Sequence, residues 1–297
     1  DTDMLLVPDP KTLRKVPWAR EPTAQIVADC YKASGEPHPL ASRNVLKHII
    51  KLYEEAGLRA EVAPEVEFFL VHKNTDPDYE LMPPKGRSGR REVARMSFSI
   101  DAVAEFEDFV EDMYDFADEQ ALSVDTLIHE NGAAQLEINF NHGDPLDMAD
   151  QVFVFKRTVR ETAQRHNMYA TFMAKPMQKE PGSALHIHQS ILSLATGDNI
   201  FNGADDQPTP ELMHYIAGLQ RYTPDLISFY APNVNSYRRL APDISAPINL
   251  SWGYDNRTTA FRVPDSTPIN RRVENRFPGA DANPYLAIAA SLASGLL

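Results

Sequence analysis

Val124-Asp125-Thr126-Leu127-Ile128-His129-Glu130-Asn131-Gly132-Ala133-Ala134-Gln135-Leu136-Glu137-Ile138-Asn139-Phe140 reads as two strands, Val124 to Glu130 and Gln135 to Phe140, folded back at Asn131-Gly132. Asn and Gly tolerate positive φ, which suits a reversing loop between them. A side-chain period of two places Gln135, Glu137 and Asn139 on one face of the second strand. Glu130 and Glu137 bracket the hairpin and can face one space, although an isolated Glu pair belongs more often on a surface.

Working outward, Arg59 to His72 is expected to be a strand, preceded by a helix that Ser42 could cap and Gly57 would end. Val45, Leu46, Ile49, Ile50 and Tyr53 share a face of that helix. Asp101 starts a second helix with Val103, Phe106, Val110, Met113 and Ala117 as its apolar stripe and eight acidic residues from Glu105 to Glu119 on its wet face. Downstream come a helix over Leu146 to His166, strands over Ala170 to Ala174 and Leu185 to Leu192, and a helix over Pro210 to Tyr230. Short strands follow at Ile248 to Trp252, Thr258 to Val263 and Arg272 to Arg276, and Asn283 with Pro284 opens a last helix. Strands alternate with strands and helices without regular βαβ units, so the expected fold is α+β, with a mainly antiparallel sheet flanked by helices.

The 297 residues, 43% hydrophobic and 24% charged, suffice for one large core or two modest domains. A net charge of −13 and a pI of about 5.1 disfavour nucleic acid and anionic membranes as partners. Cys30 is the one cysteine, so no internal disulfide forms, and a reducing, cytoplasmic location is expected. The N-terminus has no basic n-region before an apolar stretch, so no signal peptide is expected. The apolar run Leu286 to Leu297 falls short of the roughly 20 residues a bilayer needs. Pro8, Pro10 and Pro17 break residues 1–20 into an edge strand and loop.

The chemistry gathers elsewhere. Glu65 and Glu67 project from one face of an otherwise apolar strand, where burial would be costly without cations between them; an exposed edge face is the plain alternative. His186 and His188 point to one side of a strand, a spacing shared by metal sites and by ordinary structural histidines. Several oxygen ligands with one or two imidazoles suit Mg²⁺ or Mn²⁺ better than structural zinc. Arg239, Arg257, Arg262, Arg272 and Arg276 all fall after residue 235, and guanidinium forks clamp carboxylate or phosphate. In Arg271-Arg272-Val273-Glu274-Asn275-Arg276, one carboxylate sits between guanidiniums. Lys85 to Arg95 is a further basic run, read as a solvated loop more readily than as a phosphate clamp. No Walker A or kinase-type glycine loop is present. Together these features suggest metal-dependent phosphoryl transfer.

In order, APEVEFFLV, ENGAAQLEINF, GSALHIHQS, NSYRRLAP, NRTTAFRVP and RRVENRFPGADANPYL resemble the catalytic domain of the glutamine synthetase family, and WGYDNRT with PHPLASRNVL is similar to its γ-glutamylpolyamine synthetase-like branch. The resemblance implies a curved, half-barrel sheet, with residues 1–20 a remnant of an N-terminal β-grasp domain and 21–297 a catalytic domain cut short at its C-terminus. It implies two or three Mg²⁺ or Mn²⁺ ions, one held by Glu67, Glu130 and Glu137 and another by Glu65, His186 and Glu274. His188, Ser190, Arg257, Arg262 and Arg272 would meet ATP, Arg257 and Arg262 acting on the transferring group, and Gly182, Arg239 and Arg276 would receive glutamate.

The implied reaction joins the glutamate γ-carboxylate to an amine through γ-glutamyl phosphate, in a protein that is a homo-oligomer when full length. Ordinary glutamine synthesis from ammonia, or a silent structural or regulatory homologue, are the alternatives. Three positions depart from the glutamine synthetase pattern: Pro181 replaces Asn, Ile269 replaces a nucleotide-side Lys, and Ser245 replaces the lid Glu. The last points to an organic amine or polyamine, with Tyr237 and Trp252 as candidate walls of its site.

Overall fold

The computed structural model describes residues 3–76, 78–93, 95–203, 205–242 and 246–297. Ser245 lies outside the described residues. Near the N-terminus, β1 (Met4–Pro8), β2 (Arg14–Lys15), β3 (Ala24–Gln25) and β4 (Ala28–Lys32) form two small antiparallel ladders, β1 with β4 and β2 with β3. Helix α1 (Ser42–Glu55) follows, its N-cap Ala41 rather than Ser42 and without a side-chain capping bond. Its apolar stripe packs on the core, and Gly57, at φ +74°, reverses the chain after it. The long strand β5 (Leu58–His72) comes next.

The predicted helix from Asp101 is two pieces, α2 (Ile100–Ala104) and α3 (Glu107–Glu119). Ser99 caps the first by accepting the Ala102 amide at 3.2 Å, and Phe106 leaves helical geometry at φ −121° with its side chain buried. Strands β6 (Val124–His129) and β7 (Gln135–Phe140) make the expected hairpin, and α4 (Pro145–Arg165) is capped by Asp144. Strand β8 (Met168–Thr171) stops earlier than Ala174, where the Thr171 hydroxyl takes the Met173 amide at 3.2 Å. Then come β9 (Leu185–Ser193), α5 (Pro210–Tyr230), α6 (Val234–Tyr237), β10 (Trp252–Tyr254), β11 (Phe261–Val263), β12 (Val273–Asn275) and α7 (Pro284–Leu296).

Asn-led turns displace one predicted strand, Ile248 to Trp252, toward the C-terminus and shorten another, Thr258 to Val263. Asn249 Oδ1 accepts the Ser251 amide at 2.9 Å, so β10 begins only at Trp252; Asn256 Oδ1 accepts from Thr258 at 3.0 and 2.7 Å, which delays β11 to Phe261. The main sheet runs β10-β11-β12-β9-β5-β7-β6, with β8 also on β5; the path stays open, and among the described strands only β10-β11 is parallel.

One face of this sheet carries Val66, Phe68, Leu136, Ile138, Leu185, Ile187 and Val273, all fully buried against α1, α4, α5 and α7. Helix α7 sits at the centre of the helical layer, contacting α1, α4 and α5. A buried ionic knot joins the N-terminal ladders to this layer. Arg43 donates to Asp9 (2.8 Å), Asp29 (2.6 Å) and Asp150 (2.8 and 3.0 Å), and the Tyr285 hydroxyl adds 2.6 Å to Asp150. The basic run at Lys85 to Arg95 is a loop, with Arg87 on Glu107 at 2.6 Å in the open and Arg91 on the Pro83 carbonyl. Among the described residues no helix is long and apolar enough to cross a membrane.

Candidate active site

Strand register assembles the site on the sheet face away from the helices. Glu67 stands opposite Glu137, Glu65 opposite His186, His188 opposite Glu274, and Arg262 opposite Glu274. Cross-strand partners project to the same side, and residues two apart on a strand share it, so five strands, β7, β5, β9, β12 and β11, deliver one continuous polar patch. The alternating Val66, Phe68, Leu136, Ile187 and Val273 fill the core, which leaves the carboxylates and imidazoles no other direction to point.

Two triads of ligand-type atoms lie within 4.8 Å of one another: Glu65, His186 and Glu274, and Glu67, Glu137 and His186. His186 therefore belongs to both sets, where the sequence resemblance placed it in one. Glu130 belongs to neither triad, although its charge reaches Glu67 and helps to raise it. Glu65 lies between two imidazoles, 2.6 Å from His188 Nε2 and 3.3 Å from His186 Nδ1. Glu67, Glu137, His186 and Glu274 are buried, so the exposed-edge alternative fails for Glu67, and Glu65 is half-buried beside them.

The electrostatics divide these acids. Burial first, then the Glu130 charge, pushes Glu67 up to about 7. Burial with the charges of Glu65, Glu67, Glu130 and Glu274 pushes Glu137 well above the usual carboxylate range. Burial also raises Glu130. Burial would raise Glu65 and Glu274 as well, but His188 and His186 outweigh it: Glu65 falls well below its ordinary value and Glu274, helped by Arg276, to about 2. Burial, then Arg276, lowers His186 to about 4, which keeps a neutral imidazole with one ring nitrogen free to ligate. Packing this many carboxylates together in low dielectric is unfavourable unless cations stand among them. The oxygen-rich donor set with one shared imidazole fits Mg²⁺ or Mn²⁺.

Glu274 is indeed held between guanidiniums, but by Arg262 (2.9 Å) and Arg276 rather than Arg271 or Arg272. Arg271 turns away to Asn202 Oδ1 (2.6 Å) and the Asp206 carbonyl (2.8 Å), outside the site. Arg272 Nε lies 3.0 Å from His188 Nδ1, joining two of the residues expected to meet ATP. Ser190 shares the His188 face, half-buried, and Arg257 stands exposed in the β10–β11 turn. Arg262 also reaches Asp255 at 2.6 Å.

Arg239 is buried and donates to the carbonyls of Phe277 (2.8 Å) and Arg276 (3.0 Å), against Gly182. A Cβ on Gly182 would come within 2.5 Å of the Ala174 carbonyl and 2.6 Å of Arg239 Cγ. Burial lowers Arg239 to about 10, against the pull of Glu67.

Several participants escaped the sequence reading. Gln135 Nε2 bridges Glu67 (3.2 Å) and the Gly182 carbonyl (3.0 Å), and the Ala184 amide donates to Glu67 at 2.8 Å. Period two had put Gln135 on the right face without disclosing its partners. At the hairpin tip the left-handed residue is Ala134, at φ 57°, not Asn131 or Gly132. Gly132 is required by space: a Cβ there would lie 2.5 Å from the Phe69 ring.

Residues 39–297 match the family described as glutamine synthetase, catalytic domain. The glutamine synthetase of Pyrococcus abyssi (strain GE5 / Orsay) is 36% identical over 296 residues, covering 100% of this chain and 64% of that protein. The γ-glutamylputrescine synthetase of Escherichia coli (strain K12) is 37% identical over 282 residues, covering 93% and 59% respectively. The glutamate–isopropylamine ligase of a Pseudomonas species is 36% identical over 300 residues, covering 99% and 64%. The solved structure of GmaS without ligand aligns with a TM-score of 0.85 at 31% identity, over 100% of this chain and 66% of that one. The chain thus spans less than two thirds of the length of the curated relatives named above.

Proposed function

Because the chain belongs to the glutamine synthetase family, through its catalytic domain, we propose that it serves an ATP-dependent ligase that joins the glutamate γ-carboxylate to an amine. The observation that carries this reading is the shared sheet face on which Glu65, Glu67, Glu137, His186 and Glu274 converge, with Arg262 and Arg276 gripping Glu274.

Two divalent ions, Mg²⁺ or Mn²⁺, would be held, one by Glu65, His186 and Glu274 and the other by Glu67, Glu137 and Glu130, the one lone pair of His186 serving one of them; bound there they would supply positive charge for the ATP phosphates and polarise the acceptor carboxylate. The remaining work falls to side chains of this chain. Arg257, exposed in its turn, and Arg262, steered by Glu274 and Asp255, meet the transferring phosphoryl group. His188, Ser190 and Arg272 line the nucleotide side. Arg276, with Arg239 behind it fastening its backbone, and Gly182, which leaves the main chain open, receive glutamate.

In the first step a γ-carboxylate oxygen attacks the terminal phosphorus of ATP and ADP leaves. In the second the amine nitrogen attacks the acyl carbon, phosphate departs with the bridging oxygen, and the amine loses a proton. Activation is needed because a carboxylate is a poor electrophile and its mixed anhydride has a good leaving group.

The acceptor is proposed to be an organic amine or polyamine. The lid position carries Ser245, which cannot act as an anion toward ammonium and leaves more room than Glu. Relatives named for putrescine and isopropylamine stand at 37% and 36% identity beside a glutamine synthetase at 36%, so ammonia is the competing acceptor. Phosphate release from ATP and glutamate, measured across ammonia and an amine panel, decides between them. A higher kcat/KM for ammonia than for every amine would return the protein to ordinary glutamine synthesis. The intact protein is proposed to be a homo-oligomer, which a monomeric mass by light scattering would refute.

A further inference from the structure

The tip of the β6–β7 hairpin carries four successive amides, and each finds a side-chain acceptor. Asn131 donates to Glu130 Oε2 (3.3 Å), Gly132 to Gln135 Oε1 (2.9 Å), Ala133 to Glu180 Oε2 (3.1 Å) and Ala134 to Glu92 Oε2 (2.8 Å). Turn amides ordinarily go to water or to nearby carbonyls, so four side-chain acceptors in a row mark a loop whose place is prescribed. Two of the acceptors come from elsewhere in the chain: Glu180 from the loop that carries Gly182, and Glu92 from the position after Arg91.

Glu92 is the more telling of the two. Its Oε2 also lies 3.0 Å from His129 Nε2, while His129 Nδ1 lies 2.8 Å from the Glu130 carbonyl. One carboxylate oxygen thereby holds both ends of the loop, at His129 and Ala134, with Glu130 between them. The Glu92 side chain is 13% exposed and the His129 ring fully buried. The loop is held further by the Phe98 amide, 2.8 Å from the His129 carbonyl, and by the hydrogen bond of Ser97 to Asn131. The loop needs such fastening, because Ala134 is a fully buried non-glycine residue in the left-handed region.

We propose that Glu92 is a positioning residue of the active site, which through His129 and the Ala134 amide fixes the hairpin tip and so sets where the carboxylates of Glu130 and Glu137 stand against Glu67. The proposal rests on the reading that these carboxylates serve a cation site. Glu92 touches neither substrate nor ion; it acts through the loop. Glu180 holds the neighbouring amide and ties the same tip to the Gly182 loop, so the two sides of the site are fastened at one point.

The test uses the 297-residue chain with Glu92→Ala and Glu92→Gln, reading amide hydrogen exchange over residues 129–135 and calorimetric titration with Mn²⁺ alone. Glu92→Ala is expected to speed exchange at the tip about tenfold while helix α4 keeps its protection. It is also expected to weaken Mn²⁺ about tenfold, the lower end for lost outer-sphere support. Glu92→Gln, which still presents a carbonyl oxygen, should stay within about threefold of the parent in both. Unchanged exchange at the tip in a folded Glu92→Ala variant overturns the proposal, as does faster exchange with unaltered Mn²⁺ affinity. Failure of the glutamine variant to recover either property would do so too. Absence of Mn²⁺ binding by the parent would overturn the cation-site reading itself and, with it, the purpose assigned to the loop.

Discussion

Glu67 and Glu137 stand directly opposite one another on adjacent antiparallel strands, both buried, and both within reach of the His186 imidazole. Like charges in a cross-strand pair oppose sheet formation, and burial amplifies the repulsion. The pairing makes sense as a place prepared for a cation, where the same repulsion becomes attraction to the ion.

Neutralising one partner should therefore act in opposite directions with and without metal. Glu137→Gln is expected to raise the thermal stability of the chelator-treated chain at pH 8 by about 1–3 kcal/mol. In Mn²⁺ at a hundred times the parent's Kd, the parent gains about 2.7 kcal/mol by mass action, which the variant should largely forgo. Melting curves with chelator and with Mn²⁺ check both halves; a variant that melts like the parent in both would end the cation-site reading.

Much of this arrangement was legible in the sequence because period two is a strong constraint when one face of a strand is apolar. Glu65 with Glu67, Gln135 with Glu137, and His186 with His188 share faces through alternation with Val66, Leu136 and Ile187, whereas Glu274 joined the set only through the family resemblance. What was not legible depended on contacts between segments distant in the chain. Nothing local says that Arg271 turns toward Asn202 while Arg262, twelve residues before Glu274, takes its place. The break at Phe106 was hidden for a related reason: the apolar stripe continues through it, and only packing shows that the ring enters the core by leaving the helix. Glu92 sat in a run read for its positive charges, so its carboxylate drew no notice.

Gly182 tests how closely the side proposed to receive glutamate is built. With a Cβ the residue would press on a backbone carbonyl at Ala174 and on the stem of Arg239, neither of which can swing clear like a side-chain tip. Gly182→Ala should cost about 1–3 kcal/mol of stability, in the range of overpacked sites. By moving Arg239 it should also raise the KM for glutamate more than it lowers kcat. Equal stability and an unaltered KM would show that the loop yields freely.

Arg43 tests the ionic knot beneath the N-terminal ladders. Removing its guanidinium leaves Asp150 buried without its cation, while Asp29 keeps only Lys47. Loss of one partner of a buried pair typically costs about 3–5 kcal/mol. Arg43→Ala is expected in that range by denaturant unfolding, and adding Asp150→Asn should recover part of it. A loss below about 1 kcal/mol would place the cluster with weak surface pairs.

Lys156 supplies a pH dependence that is independent of the cation site. Its ammonium is buried in α4, donates to the carbonyls of Ala280 (2.6 Å) and Ala282 (3.2 Å), and lies 5.6 Å from the centre of the Phe172 ring. Burial, with Arg160 nearby, lowers it from 10.5 to about 7. Between those values the unfolded chain binds more protons at this residue than the folded one, so stability rises with pH across the window. From pH 7.5 to 9.5 the residue should contribute a rise of about 2 kcal/mol, at 1.36 kcal/mol per unit. Below pH 7 both states are protonated and the contribution is flat. Above pH 10 the raised hydroxyls of Tyr53, Tyr215, Tyr230 and Tyr285 act with the opposite sign, which sets the upper limit of the measurement. Denaturant unfolding at half-unit steps, for the parent and Lys156→Met, isolates the residue: the difference between the two curves should slope upward with pH. Parallel curves would mean that Lys156 keeps its proton in the fold throughout, held by the two carbonyls.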